Sequence, residues 1–232
     1  MQRKSIVGLV VGVLLYVLIA AALYMVFILV PTERVMGIVQ RIFYFHVPLA
    51  WVGFLAFFIV FGCGIIYLIT RSIKWDIAAN ASAEIGLVFC TLVLITGSIW
   101  ARPIWNTWWT WDPRLTTTLV LWLIYLGYLM VRRSIDDVEK RAKISAVIGI
   151  AGFVDVPVVF LSISWWRSMH PVLVTQPRMG LAPQMLATLL VSLSAFTLLF
   201  GYLLRFRIKL GRDENAVAEL SARIHEQKFE EV

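Results

Sequence analysis

Six long apolar runs, at residues 6–30, 47–70, 85–100, 115–131, 144–166 and 181–204, carry no Asp, Glu, Lys or Arg apart from Asp155 in the fifth. A bilayer core is crossed by about 20 apolar residues in α-helix, because lipid offers no partners and the helix satisfies its own backbone N–H and C=O groups. Six such runs in 232 residues leave room for little else. The expected fold is therefore all-α: a polytopic integral membrane helix bundle of six transmembrane helices. Two runs are short for a span. The third is expected to begin near Ile77, with Glu84 facing the bundle, and the fourth to reach back into the loop before Leu115. Arg3 and Lys4 precede the first run as in a secretory signal, but its apolar stretch is too long for one, and Pro31-Thr32-Glu33 offers no small-residue cleavage site. Composition agrees, with 15% charged residues against roughly 25% in soluble domains, and a mean hydropathy of +0.84.

Six crossings return both termini to one side. Fifteen of the 21 Lys and Arg residues lie in the tails and even-numbered loops; the odd-numbered loops hold Arg34, Arg41, Arg102, Arg114, Arg167 and Arg178. The positive-inside rule then makes both termini cytoplasmic. The net charge of +7 is an orientation signal spread along the chain, which argues against nucleic-acid binding. Residues 1–210 are expected to form the transmembrane domain, with a Trp-rich outer loop at 101–114, and residues 211–232 a cytoplasmic tail. Val217, Leu220 and Ile224 recur at helical spacing there, suiting a solvated amphipathic helix or a docking helix for a cytoplasmic partner.

Cys63 and Cys90 both lie within spans, and no C-x-x-C motif occurs, which excludes thiol–disulfide exchange. No phosphate-binding glycine loop is present, so nucleotide-driven work falls to a partner. No enzyme chemistry is expected.

The tryptophans are distributed unevenly. Trp100, Trp105, Trp108, Trp109, Trp111, Trp165 and Trp166 fall at the outer side, more than the two or three that interfacial anchoring explains. If Trp105, Trp108 and Trp109 share a helical turn, their spacing puts three indoles on one face, a rigid platform for a large planar ligand. Asp112 before Pro113 suits the N-cap of the fourth span. His46 and His170 flank this loop on the same side. A single interfacial histidine is more often a hydrogen-bonded structural residue, but two imidazoles around a flat apolar platform describe bis-histidine heme coordination. Any of the outer arginines suits the propionates. His225 reads as a tail residue. Asp155, mid-span beside Pro157, reads as a packed neutral acid or as the lining of a ligand pocket or access path.

The segment Trp105-Asn106-Thr107-Trp108-Trp109-Thr110-Trp111-Asp112, with the two histidines and six spans, resembles the tryptophan-rich heme-handling membrane protein family, in particular the members that act in bacterial cytochrome c maturation. The likeness runs from Phe43-Tyr44-Phe45-His46-Val47-Pro48 to Trp165-Trp166-Arg167-Ser168-Met169-His170-Pro171. It implies a multi-pass protein of the bacterial inner membrane that holds heme b at the periplasmic face, with His46 and His170 as axial ligands and Trp105, Trp108, Trp109, Trp111 and Asp112 shaping the site. Heme would then pass to a periplasmic heme chaperone. The implied partners are an ABC-type ATP-binding subunit, a second polytopic membrane subunit and a small single-span protein. In one respect the sequence departs from the family pattern: Asn106 stands where glycine commonly follows the first Trp, and Asn tolerates a left-handed backbone better than most residues.

Three alternatives differ in what they require. An electron-transferring cytochrome b buries its histidine pairs inside the membrane, unlike these marginal ones. A transmembrane transporter of heme or another amphiphile, as a subunit of an ABC-type complex, needs midplane polarity or broken helices, for which only Asp155 and Pro157 offer themselves. A scaffold subunit would use its tryptophans for anchoring alone.

Overall fold

A computed structural model of the chain describes residues 2–166 and 181–230. The described residues form seven α-helices: α1 (Gln2–Tyr24), α2 (Phe43–Thr70), α3 (Ile73–Trp105), α4 (Pro113–Arg133), α5 (Val138–Phe153), α6 (Asp155–Trp165) and α7 (Pro183–Glu230). Six helical segments are long and apolar enough to span a membrane: Gly8–Leu29, Ile38–Thr70, Ile73–Trp105, Pro113–Arg133, Val138–Trp165 and Pro183–Ser221. The expected six-helix membrane fold is thus the observed one. The third span begins earlier than expected, at Ile73, and the fourth reaches back only to Pro113. The fifth is divided at Val154. Pro157 explains the division: it lacks an N–H, and its ring crowds the carbonyl one turn back, at Phe153. The sixth span continues into the tail as one helix, α7, with no break at residue 210.

Helix α2 lies at the centre, packed against α3, α5 and α7, while α4 packs on α3, α5 and α6. Small residues permit the close contacts. A Cβ at Gly86 would lie 2.8 Å from Phe57 and 2.9 Å from Ala56, and the Ser82 hydroxyl donates across the same interface to the Ala56 carbonyl at 2.9 Å. Phe57 in turn stacks on Tyr125 of α4, with ring centroids 3.7 Å apart and planes 11° from parallel. Helix α1 sits at the edge against α7, and Leu9, Val10, Val13 and Val17 are exposed along it, as a lipid-facing surface demands.

One charge that enters the bundle is paired there. Glu84 faces α7, where Arg207 donates from Nη2 to Oε1 at 2.9 Å and Asn80 donates to the same oxygen at 2.9 Å. The loop between α3 and α4 marks one end of the bundle, the outer end. There Phe43 and Tyr44 of α2 pack with Val26, Val30 and, from α7, Met185 and Leu189.

Candidate ligand cleft at the outer end

Helix α3 stops at Trp105 because Asn106 adopts the left-handed conformation, φ 55° and ψ 23°. Arg102 secures this turn, its Nη1 donating to the Asn106 carbonyl at 2.5 Å and to Oδ1 at 2.7 Å. Helix α4 starts at Pro113, whose missing N–H costs nothing in a first turn, and Asp112 caps it by accepting from the Arg114 N–H at 2.9 Å. Asp112 thus takes the N-cap expected of it, and Asn106 the left-handed conformation that asparagine tolerates better than most residues.

The helical face of three indoles is not formed. The left-handed cap at Asn106 and the new N-cap at Asp112 leave no room for a helical turn between them, so residues 107–112 run as a loop. The indoles divide instead. Trp105 and Trp109 line a cleft with His46, whereas Trp108 and Trp111 are 59% and 73% exposed on its outer surface. Trp109 and Trp111 meet edge to face with centroids 5.7 Å apart, tying the inner indole to the outer one.

The cleft lies among α2, α3 and α4. Ala50, Phe54, Val93, Leu94 and Leu115 supply apolar walls, Arg114 a cation, and His46 an imidazole from the first turn of α2. It is open at its mouth, and the space between its atoms, about 510 Å³, includes open solvent. Its floor shares Ala50, Phe54, Val93 and Thr118 with a narrower cavity that continues to Phe57, Cys90 and Leu121. His46 Nδ1 lies 2.9 Å from the Thr96 hydroxyl oxygen, and its ring meets Trp100 edge to face at 5.8 Å. The indole N–H groups of Trp100 and Trp109 are buried without a hydrogen-bond partner among the described residues, and so is Nε of Arg41. These are donors held in reserve at the outer end.

Among the described residues no three His, Cys, Asp or Glu side chains come together. His46 is a single imidazole amid apolar walls, with one guanidinium beside it. That donor set suits a flat apolar ligand whose metal needs axial nitrogen and whose edge carries carboxylates. Of the outer arginines, Arg114 reaches the cleft, Arg102 serves the Asn106 turn and Arg34 is exposed. His170, with Arg167 and Arg178, lies outside the described residues, as does the side chain of His225. Thr96 and Gly97 went unnoticed in the sequence. Nothing local marks them, since Thr96 meets His46 across fifty residues of sequence.

Fold and cleft together define a class: polytopic helical membrane proteins with an aromatic, histidine-bearing cleft at one end of the bundle. Comparison with known proteins gives the particular family. The family model described as "Heme exporter protein C" matches residues 2–222. Heme exporter protein C of Bradyrhizobium diazoefficiens is 39% identical over 191 residues, covering 79% of this chain and 70% of the relative. The Escherichia coli K12 protein of the same name is 34% identical over 181 residues, 77% and 73% of the two chains. A ccmC-like mitochondrial cytochrome c biosynthesis protein of Marchantia polymorpha is 30% identical over 185 residues, 79% and 78%. The chain belongs to the heme exporter protein C family. It is accordingly a membrane component of heme handling rather than an enzyme.

Proposed function

We propose that this protein binds heme b in the outer cleft and presents it to a periplasmic heme chaperone during cytochrome c maturation. The observation that carries the reading is the meeting of His46, Trp105, Trp109 and Arg114 around one apolar cleft in a chain of this family. His46 supplies one axial nitrogen and His170 the other. Trp105 and Trp109 pack on the macrocycle, Arg114 meets a propionate, and the exposed Trp108 and Trp111 offer the receiving chaperone an aromatic surface. Asp112 holds the start of α4, and with it Arg114, in place. Heme is cargo in this scheme, and the chain makes or breaks no covalent bond in it.

The protein sits in the bacterial inner membrane with both termini cytoplasmic, a reading supported by the excess of Lys and Arg at the end opposite the cleft. Residues 1–210 serve as the heme-handling domain and 211–232 as a cytoplasmic tail. An ABC-type ATP-binding subunit, a second polytopic subunit and a small single-span protein complete the pathway.

A rival reading, transmembrane movement of heme by an ABC-type complex, draws on Asp155: its Oδ2 is buried without a hydrogen-bond partner among the described residues, beside the break between α5 and α6. Reconstitution separates the two. Loading of the chaperone on the outer face without movement of heme between compartments supports handover and excludes transport.

The first test is the visible absorption spectrum of detergent-purified wild type beside His46→Ala and His170→Ala, with heme quantified per protein. A low-spin, six-coordinate spectrum lost or altered in both variants, their fold intact, supports the proposal. Wild type without heme, even when heme and the partner subunits are supplied, sinks it.

A further inference from the structure

We infer that Thr96 and Gly97 are positioning residues that seat the His46 imidazole and select Nε2 as the nitrogen it turns to a ligand. The inference deepens the reading of His46 as a heme ligand and rests on it for its functional meaning.

The proton count at Thr96 carries the argument. Its hydroxyl has one proton, and two carbonyls of the same helix compete for it, Leu92 at 2.7 Å and Val93 at 3.3 Å. The same oxygen lies 2.9 Å from His46 Nδ1, and with its proton engaged by those carbonyls it is left to accept there. Nδ1 carries the N–H, and the basic electron pair of the neutral ring is on Nε2. A ring unsupported at Nδ1 would exchange between two tautomers, only one of which places the pair on Nε2.

Gly97 provides the space. A Cβ there would lie 3.2 Å from His46 Cε1 and 3.8 Å from Nδ1, tighter at Cε1 than ordinary packing allows, so the ring rests against bare backbone. Trp100, four residues beyond Thr96 and on the same face of α3, closes the seat with its ring edge to face with the imidazole at 63°. One helix face thus supplies an acceptor, a gap and a wall.

The identity of the acceptor matters as well. A carboxylate on the far ring nitrogen raises the basicity of a metal-bound histidine. A hydroxyl that is itself donating elsewhere raises it less. The weaker second contact suits a ligand that must let its cargo go.

The test uses full-length protein with 15N-labelled histidine in lipid. In the heme-free state, the ring-nitrogen shifts of His46, assigned by their loss in His46→Ala, are expected to report the Nδ1–H tautomer. Thr96→Val, which keeps shape and removes the acceptor, is expected to give a mixture of tautomers and about tenfold weaker heme retention at limiting heme. Thr96→Ser restores both, and Gly97→Ala lowers the low-spin fraction of bound heme. An Nε2–H tautomer in the wild type, or a Thr96→Val protein that keeps both the Nδ1–H form and its heme, overturns the inference. The ligand reading fails separately, through an unchanged heme spectrum in His46→Ala, whereas the heme-free tautomer decides the seat in either case.

Discussion

Arg132 of α4 grips Asp76 of α3 with two prongs, Nη1 to Oδ1 and Nη2 to Oδ2, each at 2.5 Å, and the Asp76 side chain is only 4% exposed. Removing one partner strands the other charge in a site with little water. Asp76→Ala or Arg132→Met is expected to cost about 3–5 kcal/mol, and the double variant Asp76→Leu with Arg132→Met to recover most of the loss. Thermal unfolding in detergent reads this directly. Equal losses in single and double variants would contradict it.

Gly86 predicts a packing effect. The Phe57 ring that a new Cβ would strike is held by its stack on Tyr125 and has nowhere to turn. Gly86→Ala is expected to destabilise by about 1–3 kcal/mol. Gly62→Ala, at a position with nothing within 4 Å, is expected to be neutral or slightly stabilising through helix propensity. The difference in melting temperature between the two variants is the measurement.

Asn106 divides substitutions by backbone preference. Asn106→Gly keeps the left-handed turn but loses the Oδ1 contact with Arg102, and is expected to retain heme binding. Asn106→Val places a β-branched residue where it is strongly disfavoured, at a cost of about 1–2 kcal/mol. It should lower heme occupancy by separating Trp105 from Trp109. Heme per protein and intrinsic tryptophan fluorescence report the two consequences.

These cases also show what a single sequence discloses. The six spans were legible because lipid imposes a length and a composition that survive without any tertiary knowledge. The Asn106 turn and the Asp112 cap were legible because both are local backbone chemistry. The sorting of the indoles was not: helical spacing holds only inside a helix, and one left-handed residue turned Trp109 inward while leaving Trp108 outside. The partners of Glu84 and Asp76 were equally hidden, since Arg207 and Arg132 reach them from other helices. For Thr96 and His46 the sequence carries residue types but no sign that they meet.

A pH effect follows from Glu33, in the turn before α2. Its Oε2 accepts the backbone N–H groups of Met36 at 2.5 Å and Val35 at 2.7 Å, and chiefly the Met36 bond holds the carboxyl below its ordinary value of 4.5. A carboxylate with a lowered folded pKa adds stability that is present above the ordinary value and lost as pH falls through the lowered one. Amide exchange at Val35 and Met36, corrected for intrinsic rate, should therefore quicken on acidification below about pH 4.5 in wild type. In Glu33→Gln, whose uncharged amide oxygen accepts more weakly, exchange should be quicker than in wild type at neutral pH and insensitive to acidification. An acid-insensitive wild type would refute the assignment.

Helix α7 runs unbroken through its 48 residues, about 72 Å at 1.5 Å per residue, and its clasp to Glu84 comes at Arg207, close to its midpoint. Between Pro183 and the clasp the rod is also held along α2 and α3, by Phe196 and Phe200 in the core and by the Trp51 indole N–H donated to the Thr197 hydroxyl at 3.1 Å. The upper arm begins at Pro183 and carries Met185 and Leu189 against Phe43 and Tyr44, three and two residues from His46. One unbroken helix thus joins the charged clasp at Glu84 to the apolar wall beside the mount of the imidazole.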